Sequence, residues 1–172
     1  MLFENQQIAT AALPSVETVQ FQTLPPQALK LRTIGWCITQ GFIFLVLIGV
    51  MLFGEVFKQK WPWIIVFGIW ALQAIYFFWM ARRRFYREGY AVREKDIIHT
   101  KGYWLRTQLT VPYNRVQHVE IEQGPLARAF GLGGISVYTA GDSGGDLSIS
   151  GIEYAEAERI KQFIAQKVGN DE

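Results

Sequence analysis

Two long apolar runs constrain the fold more than any other feature of this 172-residue chain. Residues 33–53 read TIGWCITQGFIFLVLIGVMLF and residues 61–81 read WPWIIVFGIWALQAIYFFWMA, and neither run contains a formal charge. A helix rises about 1.5 Å per residue, so a run of this length reaches the roughly 30 Å of a bilayer's hydrocarbon core. Each run therefore predicts a transmembrane helix, and the short connection between them predicts an antiparallel hairpin.

Basic side chains flank the two runs unequally. Eight Lys and Arg residues lie beside the ends that face the chain termini, whereas two lie in the connection at residues 54–60. Basic residues in short flanks favour the cytoplasmic side of a membrane, so both termini are expected in the cytoplasm. Four of the eight, Arg82, Arg83, Arg84 and Arg87, hold the second helix in this orientation and are also placed to contact anionic lipid headgroups.

Composition divides the chain into three parts. Residues 1–30 form a Gln-rich N-terminal segment that lacks the basic start of a signal peptide. We expect a mobile tail with one docking patch, and the alternative is that its few apolar residues add a strand or lie at the membrane interface. Residues 31–81 form the hairpin, and residues 82–172 form a cytoplasmic domain. Residues 88–172 carry nine basic and twelve acidic side chains, which is unlike a nucleic-acid-binding surface.

Beyond residue 84 the apolar pattern changes to short alternating runs. Pairs such as Ile135 and Val137, or Leu147 and Ile149, have a polar residue between them, which is typical of strands with one buried face. Glycine-containing turns separate the runs and favour an antiparallel sheet. The predicted strands cover residues 85–92, 96–101, 104–111, 116–123, 134–139 and 146–152.

Two helices are predicted among these strands. In the stretch GPLARAFG, Pro125 suits the first position of a helix, and Gly131 suits the position after its end, where a positive φ is expected. Over residues 153–168 the apolar residues share one helical face. Together the strands and helices predict an α+β fold, a small antiparallel split β-barrel capped by a C-terminal α-helix.

The run VPYNRVQHVEI at residues 111–121 is followed by QGPLARAFGLG at 123–133 and by TAG at 139–141. This series closely resembles the bacterial pleckstrin-homology (PH) family of YdbS-like membrane proteins, over residues 82–168 and with the preceding hairpin. The resemblance implies a PH-like barrel and a protein of the bacterial cytoplasmic (inner) membrane. It also implies a second PH-domain membrane protein as a partner, and it carries over no catalytic residue.

The residues with catalytic or metal-binding potential do not combine into a site in the sequence. GDSGG at 141–145 matches the nucleophile segment of trypsin-like proteases, but Ser143 would need a His base, a buried Asp and a far larger fold. His99 and His118 lack a third His, and Cys37 is the single cysteine. No cofactor, no metal and no enzymatic activity are expected.

The basic residues of the domain are dispersed rather than clustered. Arg93, Lys95, Lys101 and Arg106 are separated by other residues, and acidic neighbours interleave with the first two. This distribution argues against a dedicated phosphoinositide pocket of the kind found in eukaryotic PH domains.

Two amide side chains stand at nearly the same depth in the predicted hairpin. Gln40 and Gln73 lie about 10 and 12 Å from the same end of the hairpin, at about 1.5 Å per residue. An amide that faces lipid leaves donors and acceptors unpaired, so the two are expected to form an intramembrane polar pair. Separate bonds to backbone carbonyls or to a partner subunit are an equal alternative.

These features predict a non-enzymatic, membrane-anchored interaction module. Its PH-like domain would lie at the inner leaflet and bind a partner protein, either a related PH-domain membrane protein or a second copy of the chain. The alternative is a sensor of anionic lipid headgroups or a subunit that handles a small molecule. No nucleic-acid partner is expected.

Overall fold

The computed structural model describes residues 19–53, 60–140 and 146–169. Its first large unit is a pair of long helices, α1 (Pro26–Phe53) and α2 (Lys60–Phe85). Both are long and apolar enough to cross a membrane, and almost none of their span is buried inside the protein. That exposure distinguishes them from the core helices of a soluble domain, so the two predicted membrane helices are confirmed as elements.

Aromatic contacts show that the two helices run antiparallel. The ring centroids of Trp36 and Phe78 are 5.3 Å apart, and those of Phe44 and Trp70 are 5.2 Å apart. Later residues of α1 therefore meet earlier residues of α2. Both helices extend beyond the apolar runs, α1 by seven residues at its start and α2 through the Arg run, because these extensions contact the domain.

The domain contains two antiparallel sheets. The first has the order β1-β2-β3-β4 and the second has the order β5-β6-β7. The register pairs Gln22 with Tyr90, Ile98 with Thr110, and Ile135 with Ile149. The strands are β1 (Gln22–Thr23), β2 (Gly89–Val92), β3 (Asp96–Lys101), β4 (Thr107–Pro112), β5 (Val116–Glu122), β6 (Leu132–Thr139) and β7 (Leu147–Glu153).

Two predicted strand starts are wrong by three residues or more, whereas the other predicted strand limits lie within two residues of those in the structure. The strand expected at 85–92 begins at Gly89, because α2 continues to Phe85 and a turn follows it. The strand expected at 104–111 begins at Thr107, because residues 102–106 form a loop that starts at Gly102 with a φ of 107°. The GDSGG stretch at 141–145 lies outside the described residues.

The two helices predicted within the domain are present as α3 (Pro125–Ala129) and α4 (Tyr154–Gly169). Gly131 has a φ of 66°, which confirms the expected left-handed residue after α3. Its carbonyl accepts a hydrogen bond from the amide of Tyr154 at 3.0 Å, so the turn after α3 is tied to the start of α4.

One hydrophobic core lies between the sheets and α4. Ile97 of β3, Ile149 of β7 and Ile164 of α4 are fully buried in it. Leu24 and Ala28, which precede the uncharged apolar run of α1, belong to the same core. The domain therefore begins before the hairpin, and a division at residue 82 leaves part of it out. The observed fold is the predicted α+β arrangement of a hairpin, a PH-like pair of antiparallel sheets and a C-terminal helix.

Candidate functional site at the hairpin–domain junction

The first turns of α1 pack directly on β7. Ala28 of α1 is fully buried, and Gly151 of β7 faces it with a φ of 90°. A Cβ atom at position 151 would lie 2.9 Å from the Cβ of Ala28, closer than two such carbons approach. Only glycine combines this backbone conformation with this close approach. The membrane helix therefore starts inside the domain core.

An ion pair joins the same helix to the domain one turn further on. Arg32 of α1 donates from Nη1 to Oε2 of Glu88 at 2.6 Å and from Nη2 to the carbonyl oxygen of Ser150 at 3.2 Å. Nε2 of the buried His99 of β3 lies 3.4 Å from Oε1 of Glu88, but this contact does not have the geometry of a good hydrogen bond. Arg32 therefore supplies the stronger contact, and one carboxylate links α1, the end of α2 and β3.

The environment of Glu88 favours its charged form. Burial alone raises the pKa of this carboxyl, but the contacts with His99 and Arg32 and the positive charge of Arg32 outweigh it. The net effect lowers the pKa of Glu88 from 4.5 to about 2. The carboxylate is therefore ionised at neutral pH.

A second set of contacts ties the loop at residues 102–106 to the end of α2. Arg83 donates from Nη1 to the hydroxyl of Tyr103 at 2.7 Å, and its guanidinium lies 3.9 Å from the ring centroid of Trp79. The guanidinium of Arg87 lies 4.8 Å from the Tyr103 ring centroid, within the range of a cation–π interaction. Two of the four predicted basic residues thus hold a loop of the domain against the membrane helix.

The other two basic residues of the predicted set are exposed on α2. Arg82 lies 5.8 Å from the ring centroid of Tyr86, and Arg84 is exposed. A cleft of about 300 Å³ opens beside this region and is lined by Arg87, Thr100 and Arg106 among others. Arg106 is distant from Arg87 in sequence, so the sequence pattern did not reveal that the fold brings these two cations to one cleft.

The predicted pairing of the two intramembrane amides is not present. Gln40 is buried, with 9% of its surface exposed, and its Oε1 has no hydrogen-bond partner in the described part of the chain. Gln73 is exposed on α2, and its neighbour Ala74 is the buried residue at this level. Successive residues are turned by about 100° on a helix, so equal depth did not bring the amides onto facing sides.

Other polar side chains of the domain have structural contacts. Tyr113 donates its hydroxyl to the carbonyl oxygens of Arg93 and Asp96, each at 2.8 Å. Arg93 also pairs with the Asp96 carboxylate, at 2.6 Å from Nε. His118 stacks on Tyr138 at 4.3 Å between centroids. Across the described residues, no group of three His, Cys, Asp or Glu side chains is arranged to hold a metal ion.

Two membrane-capable helices, of which the first begins in the core of a double-sheet domain capped by a helix, define a membrane-anchored PH-like protein. The family model described as bacterial PH domain matches residues 19–168, so the chain belongs to that family. The chain is also similar to the UPF0699 transmembrane protein YdbS of Bacillus subtilis (strain 168), with 30% identity over 149 residues. That alignment covers 83% of this chain and 89% of the relative. No solved structure matches the chain with significance.

Proposed function

We propose that this protein is a non-enzymatic interaction module of the bacterial cytoplasmic membrane, with both termini in the cytoplasm. Its PH-like domain would be held at the inner leaflet by the hairpin. The hairpin would associate with a partner membrane protein, either a related PH-domain protein or a second copy of this chain.

The exposed amide of Gln73 carries this proposal. The residue lies well inside the span of α2, and its side chain points away from the packed side of the hairpin. A primary amide in hydrocarbon loses the hydrogen bonds that water would supply, and a neighbouring helix can restore them. Such interhelical bonds contribute roughly 0.6–2 kcal/mol, which supports association without making it permanent.

The junction between α1 and the domain would transmit this association to the domain. Because α1 runs without interruption from the core through Ala28 into its span, a partner that packs on the hairpin would also set the position of the domain. The distribution of basic residues supports the proposed orientation, since the Arg run lies at the domain end of α2.

Site-specific photo-crosslinking in living cells tests the proposal. A benzophenone amino acid at position 73 should give a crosslink to a second membrane protein or to a second copy of the chain. The matched control is position 75, which is also exposed and lies about 200° away around the helix.

Position 75 should give a crosslink yield at least several-fold lower than position 73. Gln73→Leu should also reduce recovery of the same partner when the tagged full chain is purified from native membranes. No protein crosslink at 73, or equal crosslinking at 73 and 75, would contradict the proposal.

A further inference from the structure

We propose that the loop between β3 and β4, residues 102–106, is a second membrane contact that inserts into an anionic lipid surface beside α2. Its tip carries Trp104 and Leu105, which are 77% and 80% exposed. Leu72, a side chain on the outer surface of the membrane span, is 70% exposed. The loop therefore presents apolar surface to the same degree as the membrane helices.

The position of the loop relative to the bilayer follows from its contacts with α2. The hydroxyl of Tyr103, the residue before the tip, accepts a hydrogen bond from Arg83, and Arg83 lies over the ring of Trp79. Trp and Arg at the end of a membrane helix occupy the headgroup region. The loop is thus held at the level where α2 leaves the hydrocarbon.

The shape of the loop keeps its tip fixed. Gly102 has a φ of 107°, and a Cβ atom there would lie 1.9 Å from the carbonyl oxygen of Leu105. The chain therefore turns tightly between these two residues, in a way that no other residue at 102 permits. A preformed turn loses little conformational freedom when it enters the membrane.

Four basic residues lie next to the apolar tip in the structure or in the sequence, and their charge favours anionic lipid. Arg83 and Arg87 contact Tyr103, while Lys101 ends β3 and Arg106 follows the tip. Arg87 and Arg106 also line the cleft of about 300 Å³ beside the loop. An apolar tip with four cations beside it fits a leaflet with acidic headgroups, where each nearby cation contributes about 1 kcal/mol.

The test uses the full chain in bilayer discs of phosphatidylcholine with or without phosphatidylglycerol. Cys37→Ser removes the single cysteine, and Leu105→Cys then takes an environment-sensitive fluorophore. Asn114→Cys is the matched control, because it is exposed and lies just beyond the opposite end of β4. Trp104→Cys provides a second tip variant should Leu105→Cys fail to fold.

In discs containing phosphatidylglycerol, the label at 105 should be quenched by nitroxide-bearing lipid at least about twofold more than the label at 114. Iodide in solution should quench the label at 114 more than the label at 105. Arg106→Gln should weaken the lipid quenching at 105, and so should removal of phosphatidylglycerol. Iodide access at 105 equal to that at 114 would overturn the proposal. Protection from both quenchers would also overturn it, because protein rather than lipid would then cover the tip.

Discussion

Glu88 is the residue on which the electrostatic part of the junction depends. Its side chain is only 12% exposed, and its carboxylate accepts the Arg32 hydrogen bond at 2.6 Å. An exposed ion pair contributes little to stability, but a largely buried carboxylate that loses its partner remains desolvated. Removal of this charge should therefore weaken both the domain and its attachment to α1.

Glu88→Gln should lower the free energy of unfolding at pH 7 by about 1–3 kcal/mol, because Arg32 loses the charged acceptor of its hydrogen bond. Urea unfolding of the detergent-solubilised full chain, followed by tryptophan fluorescence, measures this change. Glu122→Gln, at an exposed position of β5, is the control and should have little effect.

The pH dependence of stability should change in the same variant. The pKa of Glu88 is lowered from 4.5 to about 2, so the unfolded chain binds more protons at this site than the folded chain between these values. The stability from Glu88 is thus fully present above about pH 4.5 and is lost as the pH falls towards 2. Glu88→Gln should lack this component of the acid transition, and an unchanged slope between pH 4.5 and 2 would contradict the assignment.

Tyr113 has a comparable role within the domain. Its hydroxyl donates to two carbonyl oxygens of the turn between β2 and β3, and burial, the largest effect, raises the pKa of Tyr113 to about 12. Tyr113→Phe keeps the edge-to-face contact with Phe163 but removes the donor, so we expect a loss of about 1–2 kcal/mol. Thermal unfolding measures it, and Tyr154→Phe, on a more exposed ring, should change the unfolding temperature less.

At the scale of elements, α1 combines two functions that usually belong to separate segments. Its first turns contribute Ala28 to the domain core, and the rest of the same helix forms a membrane span. β1 lies immediately before it and pairs with β2, so the hairpin is inserted within the PH-like domain. The 88–172 segment alone would lack these core residues, and experiments on the domain therefore require the full chain.

The contact between α1 and β7 can be tested by adding one methyl group. Gly151→Ala should destabilise the full chain by about 2 kcal/mol or more, because it meets Ala28 at 2.9 Å and strains a φ of 90°. The combination with Ala28→Gly should recover the part caused by the steric contact but not the backbone strain.

Gly124→Ala is the control for this pair, because its φ is −68° and an added Cβ meets nothing within 4 Å. Equal effects of Gly151→Ala and Gly124→Ala on urea unfolding would contradict the proposed close packing.

At the scale of the whole molecule, the orientation in the membrane decides which compartment the domain serves. In a Cys37→Ser background, Gln59→Cys in the connection should react with an impermeant maleimide on intact cells. Asn114→Cys in the domain should react only after the cells are opened. The physical reason is the excess of basic residues at the domain end of the hairpin. Labelling of position 114 but not of position 59 on intact cells would show that the orientation is the opposite one.

Local patterns were sufficient to identify most elements of this protein. Uninterrupted apolar runs predict the spans, alternation predicts the strands, and the special backbone geometry of glycine predicts the positive φ of Gly131. These features depend on residues close in sequence. The family resemblance, carried by residues 111–141, then supplied the PH-like arrangement of the strands.

Only the tertiary structure decided which distant residues meet. Arg32 and Glu88 are 56 positions apart. Arg83 contacts Tyr103 because the chain returns along β3 to the end of α2, and periodicity predicted the strand but not this contact. The spacing along each helix predicts the depth of Gln40 and Gln73 in the hairpin. Which residue faces α1 depends on packing, and because Ala74 is buried there, Gln73 is exposed on the outer side of α2. A sequence pattern specifies which face of an element is apolar, whereas the contacts between elements depend on how those faces are packed together.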